Sequence, residues 1–394
     1  MYLFLLADID FFAHNSGSIL IDDLLKEFNK KKIKVTAIYP NHSITNKTKI
    51  YIDGNIKIII ARTFNSKSHF YLLRTFAEII NPFLMAFPNL FFSGRLKNAD
   101  GIVWYSPSIF FGPVIKLIKY KKNIKSYLIL RDIFPQWALD TKILKINFIY
   151  YFFKFFEDLQ YKYADKIGIQ SHSNIKYFSS NYPNYLNKIE VLNNWMNKKK
   201  GVITSINLQN TILKNRLIFI YAGNFGKAQE PTFFLKIASS LRLNKEIGFL
   251  LIGHGSEFNV IKKLSLIENF NNLLVMNSIP PDELESLYKQ CDIGLISLDL
   301  RHTTHNTPGK FISYLLAGLP VAAIINKGND MINIINQNRL GIAISSKNIA
   351  VFKKELIKLA KELGDNDLKK NCIEYAHQNY LPKKAASQII LSFK

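Results

Sequence analysis

The sequence predicts an α/β protein of two doubly wound domains, each built around a mostly parallel sheet. Short apolar runs typical of strands alternate with segments of helical periodicity along most of the chain. At 394 residues the chain is too long for one ordinary domain, and its hydrophobic content of 48% suffices for two cores. The alternation is weakest over 198–214, a lysine run followed by Gly, Ser, Thr and Asn. We therefore predict domains at 1–197 and 215–370, a linker at 198–214, and C-terminal helices at 371–394, the last of which can cross back over the first domain.

The first predicted domain opens with a strand–loop–helix–strand unit. Its strands are Tyr2–Ala7 and Val35–Tyr39, and apolar residues at helical spacing predict a helix over 18–31. Gly17 in the loop lets a ligand approach the backbone, although it reads equally well as an ordinary turn glycine, and Ser18 is placed to cap the helix. The further strands predicted here are Lys57–Arg62, Gly101–Tyr105, Ser126–Leu130, Lys166–Ile169 and Ile189–Leu192.

Polar, glycine-rich turns follow the first two strands of the second predicted domain. Gly223, Asn224, Gly226 and Gln229 follow the first strand, and Gly253 follows the second. Because the carboxyl ends of parallel strands meet at one edge of a sheet, these turns are expected to converge on a phosphate-bearing ligand. The strands predicted here are Leu217–Ala222, Gly248–Ile252, Leu273–Met276, Ile293–Ser297, Pro320–Ile324 and Gly341–Ile344.

The most informative stretch of the chain is a polar loop that leads into a short helix near Lys310. Gly318 and Pro320 are stop signals for that helix. The N-terminus of a helix attracts anions through its backbone N–H groups and its dipole, and Lys310 adds a full positive charge. The loop before the helix contains His305, Asn306, Pro308 and Gly309. This pattern predicts a third anion-binding loop at the same edge of the sheet.

In the first domain, Arg131 and Asp132 directly follow the strand Ser126–Leu130. At the carboxyl end of a parallel strand, Asp132 can orient or deprotonate a substrate hydroxyl, and Arg131 can hold a phosphate. The alternative is a structural Arg–Asp pair that caps the following helix. The sequence leaves both interpretations open.

The formal net charge of +23 favours an anionic partner: nucleic acid, anionic lipid or a phosphorylated substrate. No nucleic-acid-binding module is recognisable, so no nucleic-acid partner is predicted. Two aromatic-rich segments flanked by lysines, 70–92 and 148–163, are either core helices or elements that rest on a membrane surface. Charged residues and prolines interrupt 70–92, which argues against a membrane span, and no signal peptide is visible.

The sequence predicts neither a disulfide framework nor a metal centre. Its two cysteines, Cys291 and Cys372, have no metal-ligand spacing, which fits a reducing cytoplasm. His302 and His305 are three residues apart, but among the nearby residues only Asp299 is a carboxylate. We therefore expect no metal and no cofactor.

Taken together, these motifs resemble the family 4 glycosyltransferases of the GT-B fold, in which two Rossmann-like domains clamp a nucleotide sugar. Gly223-Asn-Phe-Gly-Lys-Ala-Gln229 looks like that family's Gly-Asn-x-Gly-x-Ala-Gln turn. Pro308-Gly-Lys310, Tyr314 and Ala317-Gly-Leu-Pro-Val321 look like its Pro-Ser-Lys…Glu-Tyr…Ala-Gly-x-Pro-Val segment. Within that family, the chain is similar to bacterial O-antigen and capsule transferases of the N-acetyl-L-fucosaminyl type. This closer likeness rests on four segments: Tyr105-Ser-Pro-Ser-Ile-Phe, Leu128-Ile-Leu-Arg-Asp-Ile-Phe-Pro-Gln-Trp137, Arg301 to Lys310, and Asn326-Lys-Gly-Asn-Asp330.

The resemblance implies a retaining, metal-independent transfer from a UDP-sugar to a polyprenyl-diphosphate-linked saccharide at the inner face of the cytoplasmic membrane. The donor pyrophosphate would sit between the Gly17 loop, the Gly223–Gly226 turn and Lys310, with the base against the segment Asn277–Pro281, which includes Ile279. Asp132 would contact the attacking hydroxyl or the reacting sugar. The donor-contacting positions implied are Gly17, Arg131, Gly223, Asn224, Gly226, Gln229, Gly253, Ile279, His305, Asn306, Pro308 and Gly309.

The chain departs from the family pattern at Ser313. Many members carry a glutamate there, where it is thought to hold the donor ribose, and often another at the position of His305. The closer subgroup also tends to lack the first of these. Asn306 and backbone groups are the alternative candidates for that contact.

Two other functions compete with this interpretation. A GT-B-fold UDP-sugar 2-epimerase would need several carboxylates and histidines for proton transfer, and the sequence offers only Asp132, His14, His302 and His305. A non-enzymatic basic surface-binding protein would explain the charge but not three glycine-rich turns at one sheet edge. Incubation with UDP-sugars alone separates the three possibilities.

Overall fold

Two largely parallel sheets organise the chain, and each belongs to a separate unit. A computed structural model describes residues 1–12, 15–41, 48–66, 71–198, 201–226, 229–364 and 366–394. The first unit comprises 1–194 together with 382–394, and the second comprises 195–381. The segment predicted as a linker, 198–214, therefore falls within the second unit. The C-terminal helix Pro382–Leu391 belongs to the first unit.

The first unit contains an eight-stranded sheet with the order β3-β4-β2-β1-β5-β6-β7-β8. All neighbouring strands are parallel except β3 and β4, which form an antiparallel pair. Strand β3 was not predicted, because all five of its residues are exposed and carry no core pattern. The strands are β1 Tyr2–Ala7, β2 Lys34–Asn41, β3 Lys49–Asp53, β4 Ile56–Arg62, β5 Gly101–Ser106, β6 Lys125–Leu130, β7 Lys166–Ile169 and β8 Ile189–Val191.

Within the described ranges, six further helices belong to this unit. They are α1 Ser16–Lys30, α2 Tyr71–Ala86, α3 Gly112–Lys121, α4 Gln136–Asp140, α5 Phe148–Tyr163 and α6 Asn174–Asn181. Short 3-10 turns lie at Arg95–Asn98, Ile109–Phe111 and Pro183–Lys188, and a π-turn at Phe87–Phe91 extends α2. The cap of α1 differs from the prediction: the Asn15 side chain, not Ser18, caps the helix by accepting from the Ser18 N–H at 2.9 Å. Asn15 has the extended backbone that lets its oxygen reach back over the first turn.

The second unit contains a six-stranded, fully parallel sheet with the order β11-β10-β9-β12-β13-β14. Its strands are β9 Leu217–Asn224, β10 Ile247–His254, β11 Leu273–Asn277, β12 Ile293–Ser297, β13 Val321–Ile324 and β14 Gly341–Ile344. Its helices are α7 Thr232–Ser240, α8 Phe258–Ile267, α9 Leu284–Tyr288, α10 Gly309–Leu316, α11 Met331–Gln337, α12 Ile349–Glu362 and α13 Asn366–Asn379, with a 3-10 turn at Leu208–Asn210.

The segment before β9 is fastened to the second unit by hydrogen bonds. The Val202 N–H donates to the Asp282 carbonyl at 3.0 Å, and the Leu208 N–H donates to the Gln290 side chain at 2.9 Å. A composition rich in Lys, Ser, Thr and Asn therefore marks irregular backbone here.

The central strands of both sheets are buried on both faces, which explains why they read as continuous apolar runs. Leu3–Ala7 in β1 and Ile218–Ala222 in β9 are buried throughout. Helices pack on both faces of the second sheet, where one buried cluster gathers around Tyr314 and another around Phe219. The predicted α/β class with two doubly wound sheets is confirmed. Among the described helices, none has the length and apolarity required to cross a bilayer.

Candidate active site

Lys310 is the central charged group at the carboxyl edge of the second sheet. It is the second residue of α10, whose N-cap is the extended residue Pro308. The Lys310 Nζ is buried, and within the described part of the chain no hydrogen-bond acceptor or carboxylate pairs with it. It lies 3.5 Å from the centroid of the Tyr221 ring, whose π face attracts a cation. Burial lowers the pKa of Lys310 to about 7.

The turn after β9 lies directly against Lys310. A side chain added at Gly223 would meet Lys310 Cε and Nζ at 3.5 Å. The φ angle of Gly223 is +133°, a conformation that favours glycine, so the backbone approaches the lysine with no side chain between them. The Tyr221 hydroxyl donates to the Asn224 carbonyl at 2.6 Å and thereby restrains the turn. The predicted convergence of Gly223 and Lys310 is therefore present in the structure.

The rest of this turn forms a polar rim. The Asn224 amide donates to Gln229 Oε1 at 3.4 Å, and the Gln229 N–H donates to the Gly226 carbonyl at 3.0 Å. Gly226 leaves room for both side chains, because an added Cβ would lie 2.7 Å from Gln229 Oε1. Lys227 and Ala228 of the predicted motif lie outside the described residues.

The turn after β10 is tied to the turn after β9. The Phe225 N–H donates to the His254 carbonyl at 2.7 Å, and the Glu257 N–H donates to the Phe225 carbonyl at 2.8 Å. A side chain at Gly253 would overlap the carbonyl oxygen of Gly223, so this close approach requires glycine. Ile279 lies just beyond β11, whose residue Asn277 is in register with Gly253. These predicted donor contacts therefore share one sheet edge.

The loop before α10 is held by two buried asparagines. The Asn326 side-chain amide donates to His305 Nδ1 at 3.0 Å and to the His302 carbonyl at 2.8 Å. Because Nδ1 accepts, the neutral His305 ring carries its proton on Nε2. Asn329 donates to the Asn306 carbonyl at 3.4 Å. His305 and Asn306 are thus positioned beside the start of α10 by residues beyond the next strand.

Ser313, which stands where many family members have a glutamate, is used structurally. Its hydroxyl donates to the Lys310 carbonyl at 3.0 Å, within the same helix. Tyr314 anchors the helix to β9: its hydroxyl accepts from the Ala222 N–H at 2.9 Å and donates to the Ile220 carbonyl at 3.2 Å. These contacts fix the position of Lys310 relative to the turn at Gly223.

At the carboxyl edge of the first sheet, Arg131 and Asp132 have different environments. Arg131 is buried, and its NH1 group donates to the Leu192 carbonyl at 2.8 Å, while its own carbonyl accepts from the Gln170 amide. Burial lowers the pKa of Arg131 to about 10. Asp132 is only partly buried. These contacts give Arg131 a structural role that joins β6 to the ends of β7 and β8, and they leave the carboxylate of Asp132 nearer to solvent.

Gly17 and Asp8 lie at the same edge of the first sheet. Gly17 is in the first turn of α1, and a side chain there would lie 3.3 Å from the Tyr105 hydroxyl. Asp8 directly follows β1 and is hydrogen-bonded to Ser108. Burial, together with the negative charge of Glu78, raises the pKa of Asp8 to about 7, although the Ser108 bond opposes the shift. His14 lies outside the described residues.

Sequence reasoning missed Tyr221 and Asp8, and it did not assign a role to Asn326. Tyr221 occupies an ordinary buried-strand position, and nothing in the sequence indicates that the Lys310 side chain reaches it. Asp8 directly follows a predicted strand, which was the available signal. Within the described ranges, no group of three or more His, Cys, Asp or Glu side chains is arranged to hold a metal ion.

Two largely parallel α/β units, with glycine-rich turns at the carboxyl edge of the second sheet, are typical of the GT-B fold, and comparison with known proteins agrees on that fold. Residues 203–379 match the family described as glycosyl transferases group 1. A curated relative, the probable glycosyltransferase WbjE of Pseudomonas aeruginosa, is 23% identical over 281 residues, which is 68% of each chain. The match to group 1 glycosyl transferases lies within the second unit of the chain.

Solved structures share this fold over nearly the whole chain. The sucrose-phosphate synthase of Thermosynechococcus elongatus has a TM-score of 0.77 at 12% identity, covering 99% of this chain and 98% of its own. WaaG, a glycosyltransferase involved in lipopolysaccharide biosynthesis, has a TM-score of 0.66 at 14% identity over 99% of both chains. Anabaena HepE, solved in complex with UDP, has a TM-score of 0.66 at 13% identity, covering 100% of this chain and 99% of its own. At these identities the solved structures establish the fold alone, and the chain has the GT-B fold.

Proposed function

We propose that this enzyme transfers a deoxyamino sugar, such as N-acetyl-L-fucosamine, from a UDP-sugar to a polyprenyl-diphosphate-linked saccharide. In this proposal the transfer retains the anomeric configuration, needs no metal, and takes place at the inner face of the cytoplasmic membrane during O-antigen or capsule synthesis. The observation that carries the proposal is the buried Lys310 Nζ, which lies against the Gly223 turn with no acidic partner among the described residues.

A diphosphate supplies the partner that Lys310 lacks. The donor's pyrophosphate would accept from Lys310 and from the backbone N–H groups at the start of α10. As the bond between the sugar and the phosphate breaks, negative charge grows on the departing UDP, and a protonated Lys310 offsets it. The turn residues Asn224, Gly226 and Gln229 would border the sugar and phosphates, and Ile279 would lie against the base.

The choice of UDP and of a polysaccharide pathway rests on the relatives. HepE was solved with UDP, and WaaG acts in lipopolysaccharide biosynthesis. The sequence motifs around Asp132 and Asn326 resemble those of O-antigen and capsule transferases. A lipid-linked acceptor also fits the net charge of +23, because its diphosphate and the membrane around it are both anionic.

Nucleotide binding and sugar transfer provide the direct test. We expect titration calorimetry to detect UDP binding, with weaker binding of GDP and ADP, and we expect Lys310→Met to weaken UDP binding. Ser313→Ala on the same helix is the matched control and should bind UDP like the wild type. If no nucleoside diphosphate binds to the folded wild-type protein, the proposal is wrong.

Chelation and product analysis test the remaining parts. With UDP-N-acetyl-L-fucosamine and a polyprenyl-diphosphate saccharide, we expect transfer to continue in EDTA. Loss of transfer in EDTA with recovery on adding Mg²⁺ or Mn²⁺ would contradict the metal-free mechanism. Conversion of a UDP-sugar to its 2-epimer without any acceptor, followed by NMR, would instead identify an epimerase.

A further inference from the structure

The segment that links α4 to α5 and the first turns of α5 expose large apolar side chains to solvent. Phe148 is 84% exposed, Ile143 is 73% exposed and Tyr151 is 62% exposed. The positions 148, 151 and 155 follow one another on one face of the helix. We call this feature the 143–155 surface, and it consists of Ile143, Ile146, Phe148, Ile149, Tyr151 and Phe155.

The opposite face of α5 is firmly packed, so the exposed side chains belong to a well-anchored helix. Phe153 packs against Phe134 with ring centroids 4.9 Å apart, and Phe156 packs against Phe110 at 4.9 Å. One turn further along, the buried Glu157 accepts hydrogen bonds from tyrosines of the same unit. The helix therefore has one face for the core and another for an external partner.

The charge around the 143–155 surface favours an anionic bilayer as that partner. Lys142 and Lys145 are exposed and alternate with the exposed isoleucines. Aromatic side chains and lysines together are typical of segments that lie in the membrane interface, where rings enter the headgroup region and ammonium groups meet lipid phosphates. A protein partner would need matching acids, whereas the net charge of +23 attracts any anionic membrane.

The location of the surface connects it to the acceptor side of the enzyme. Phe134, which packs against α5, is two residues after Asp132 in the loop that follows β6. We propose that the 143–155 surface inserts into the interface of an anionic bilayer and thereby holds the edge that contains Asp132 close to the membrane. The acceptor side of this inference rests on the proposed function, whereas membrane binding by this surface does not.

Sedimentation with vesicles tests the binding. We expect the full chain to sediment with vesicles of phosphatidylglycerol and phosphatidylcholine but not with phosphatidylcholine alone. Replacing two exposed aromatics in the double variant Phe148→Asp, Tyr151→Asp should lower the partition coefficient at least tenfold. The reason is that burying one aromatic side chain raises the partition coefficient roughly 10-fold or more. Leu266→Asp on α8 is the matched control. Leu266 is 73% exposed, as is Ile143 of the 143–155 surface, and it lies near Lys262 and Lys263 in the sequence. Its partition coefficient should stay within about twofold of the wild type, as a surface change of about 0.5 kcal/mol would give.

Insertion itself can be followed at one position. Both native cysteines are buried, so Phe148→Cys offers one accessible thiol for an environment-sensitive dye. We expect the emission to shift to the blue with anionic vesicles and to return to its vesicle-free value at about 1 M salt, where screening over about 3 Å removes most of the attraction of the lysines. The same dye on Leu266→Cys should not respond.

Three outcomes would overturn the inference. They are equal binding by the double variant and the wild type, no dye response at position 148, and a blue shift without vesicles that accompanies dimer formation in sedimentation velocity. Failure of the proposed function is distinguishable from each of them, because UDP binding is measured without lipid. A chain that binds vesicles through 143–155 but binds no nucleotide would keep this inference and refute the transferase proposal.

Discussion

Glu157 and Lys310 are charged groups buried in different units, and their surroundings are opposite. Glu157 accepts hydrogen bonds from Tyr161 at 3.0 Å, Tyr177 at 3.2 Å and Tyr182 at 2.6 Å, and pairs with Lys154 at 2.6 Å. Lys310 faces an aromatic ring and a glycine turn, with no acidic partner in the described structure. Glu157, a buried charge whose partners are all supplied by the protein, fastens α5 to α6. A buried charge without a counter-charge, as at Lys310, is a candidate binding site for an anionic ligand.

The two buried charges also differ in their effect on the stability of the folded protein. Burial raises the pKa of Glu157, and the Lys154 charge and the tyrosine hydroxyls work against that rise. For Lys310 burial is the cause of the shift, so its charged form destabilises the empty protein. Loss of the Glu157 charge is therefore expected to show in unfolding experiments, and loss of the Lys310 charge, under the proposed function, in activity.

The largest expected effect is on stability at Glu157. Glu157→Gln removes the charge that Lys154 pairs with and leaves a donor facing tyrosine hydroxyls. We expect the free energy of unfolding to fall by about 3–5 kcal/mol, as for other broken buried pairs. Urea denaturation measures the loss, and the folded fraction should bind UDP normally. Glu374→Gln, at an exposed pair with Lys370, serves as the control and should change stability by less than about 0.5 kcal/mol.

Lys310→Met should produce the opposite pattern. Loss of the charge beside the departing diphosphate should lower transfer by about 2–4 kcal/mol, or roughly 30- to 900-fold in rate. The methionine keeps the apolar stem and removes a buried charge, so the melting temperature should stay the same or rise. Steady-state kinetics and calorimetry on one preparation decide between the two patterns. A variant that melts early yet turns over normally would place Lys310 with Glu157 as a structural charge.

Asp132→Asn tests whether the Asp132 carboxylate has a structural role, like Glu157, or acts in transfer, as proposed for Lys310. The amide keeps the shape and removes the charge. If Asp132 orients the acceptor hydroxyl or supports positive charge on the reacting sugar, transfer should fall by about 1.5–3 kcal/mol while UDP affinity is unchanged. If Asp132 instead only pairs with Arg131 and caps the following helix, the melting temperature falls and the folded fraction retains its activity.

The pH dependence gives the smallest effect. The pKa of Lys310 is about 7 in the folded chain and about 10.5 when unfolded, so the unfolded state binds more protons between these values. The destabilisation by Lys310 is therefore complete below pH 7, is relieved as pH rises, and disappears above about 10.5. Between pH 7 and pH 8 the stability difference between Lys310→Met and the wild type should shrink by about 1 kcal/mol. A difference that does not change with pH would mean that Lys310 has an ordinary pKa.

UDP binding should report the same titration with the ligand present. A diphosphate favours the protonated lysine, so binding at pH 8 should take up close to one proton in the wild type and fewer in Lys310→Met. Calorimetry in buffers of different ionisation enthalpy measures that number. Equal proton uptake by both proteins would assign the titration to a different group.

The order of strands and helices and the positions of the glycine turns and Lys310 followed from the sequence. Strands buried on both faces are continuous apolar runs such as Leu3–Ala7, and parallel connections place their carboxyl ends at one edge. The convergence of Gly223, Gly253 and Lys310 was therefore predictable without coordinates. Strand β3 was not, because its exposed residues show no core pattern.

Local pattern does not specify which side chains from distant parts of the chain meet. The Tyr221 ring beneath Lys310, and the tyrosines Tyr177 and Tyr182 beside Glu157, are contacts between separate elements. The first six residues of α5, 148–153, are all apolar or aromatic, so their periodicity could not distinguish the face that packs on Phe134 from the face at Phe148 that meets solvent. Those assignments depend on how the helices are placed against the sheet, because burial is a property of the neighbours that a residue acquires when the chain folds.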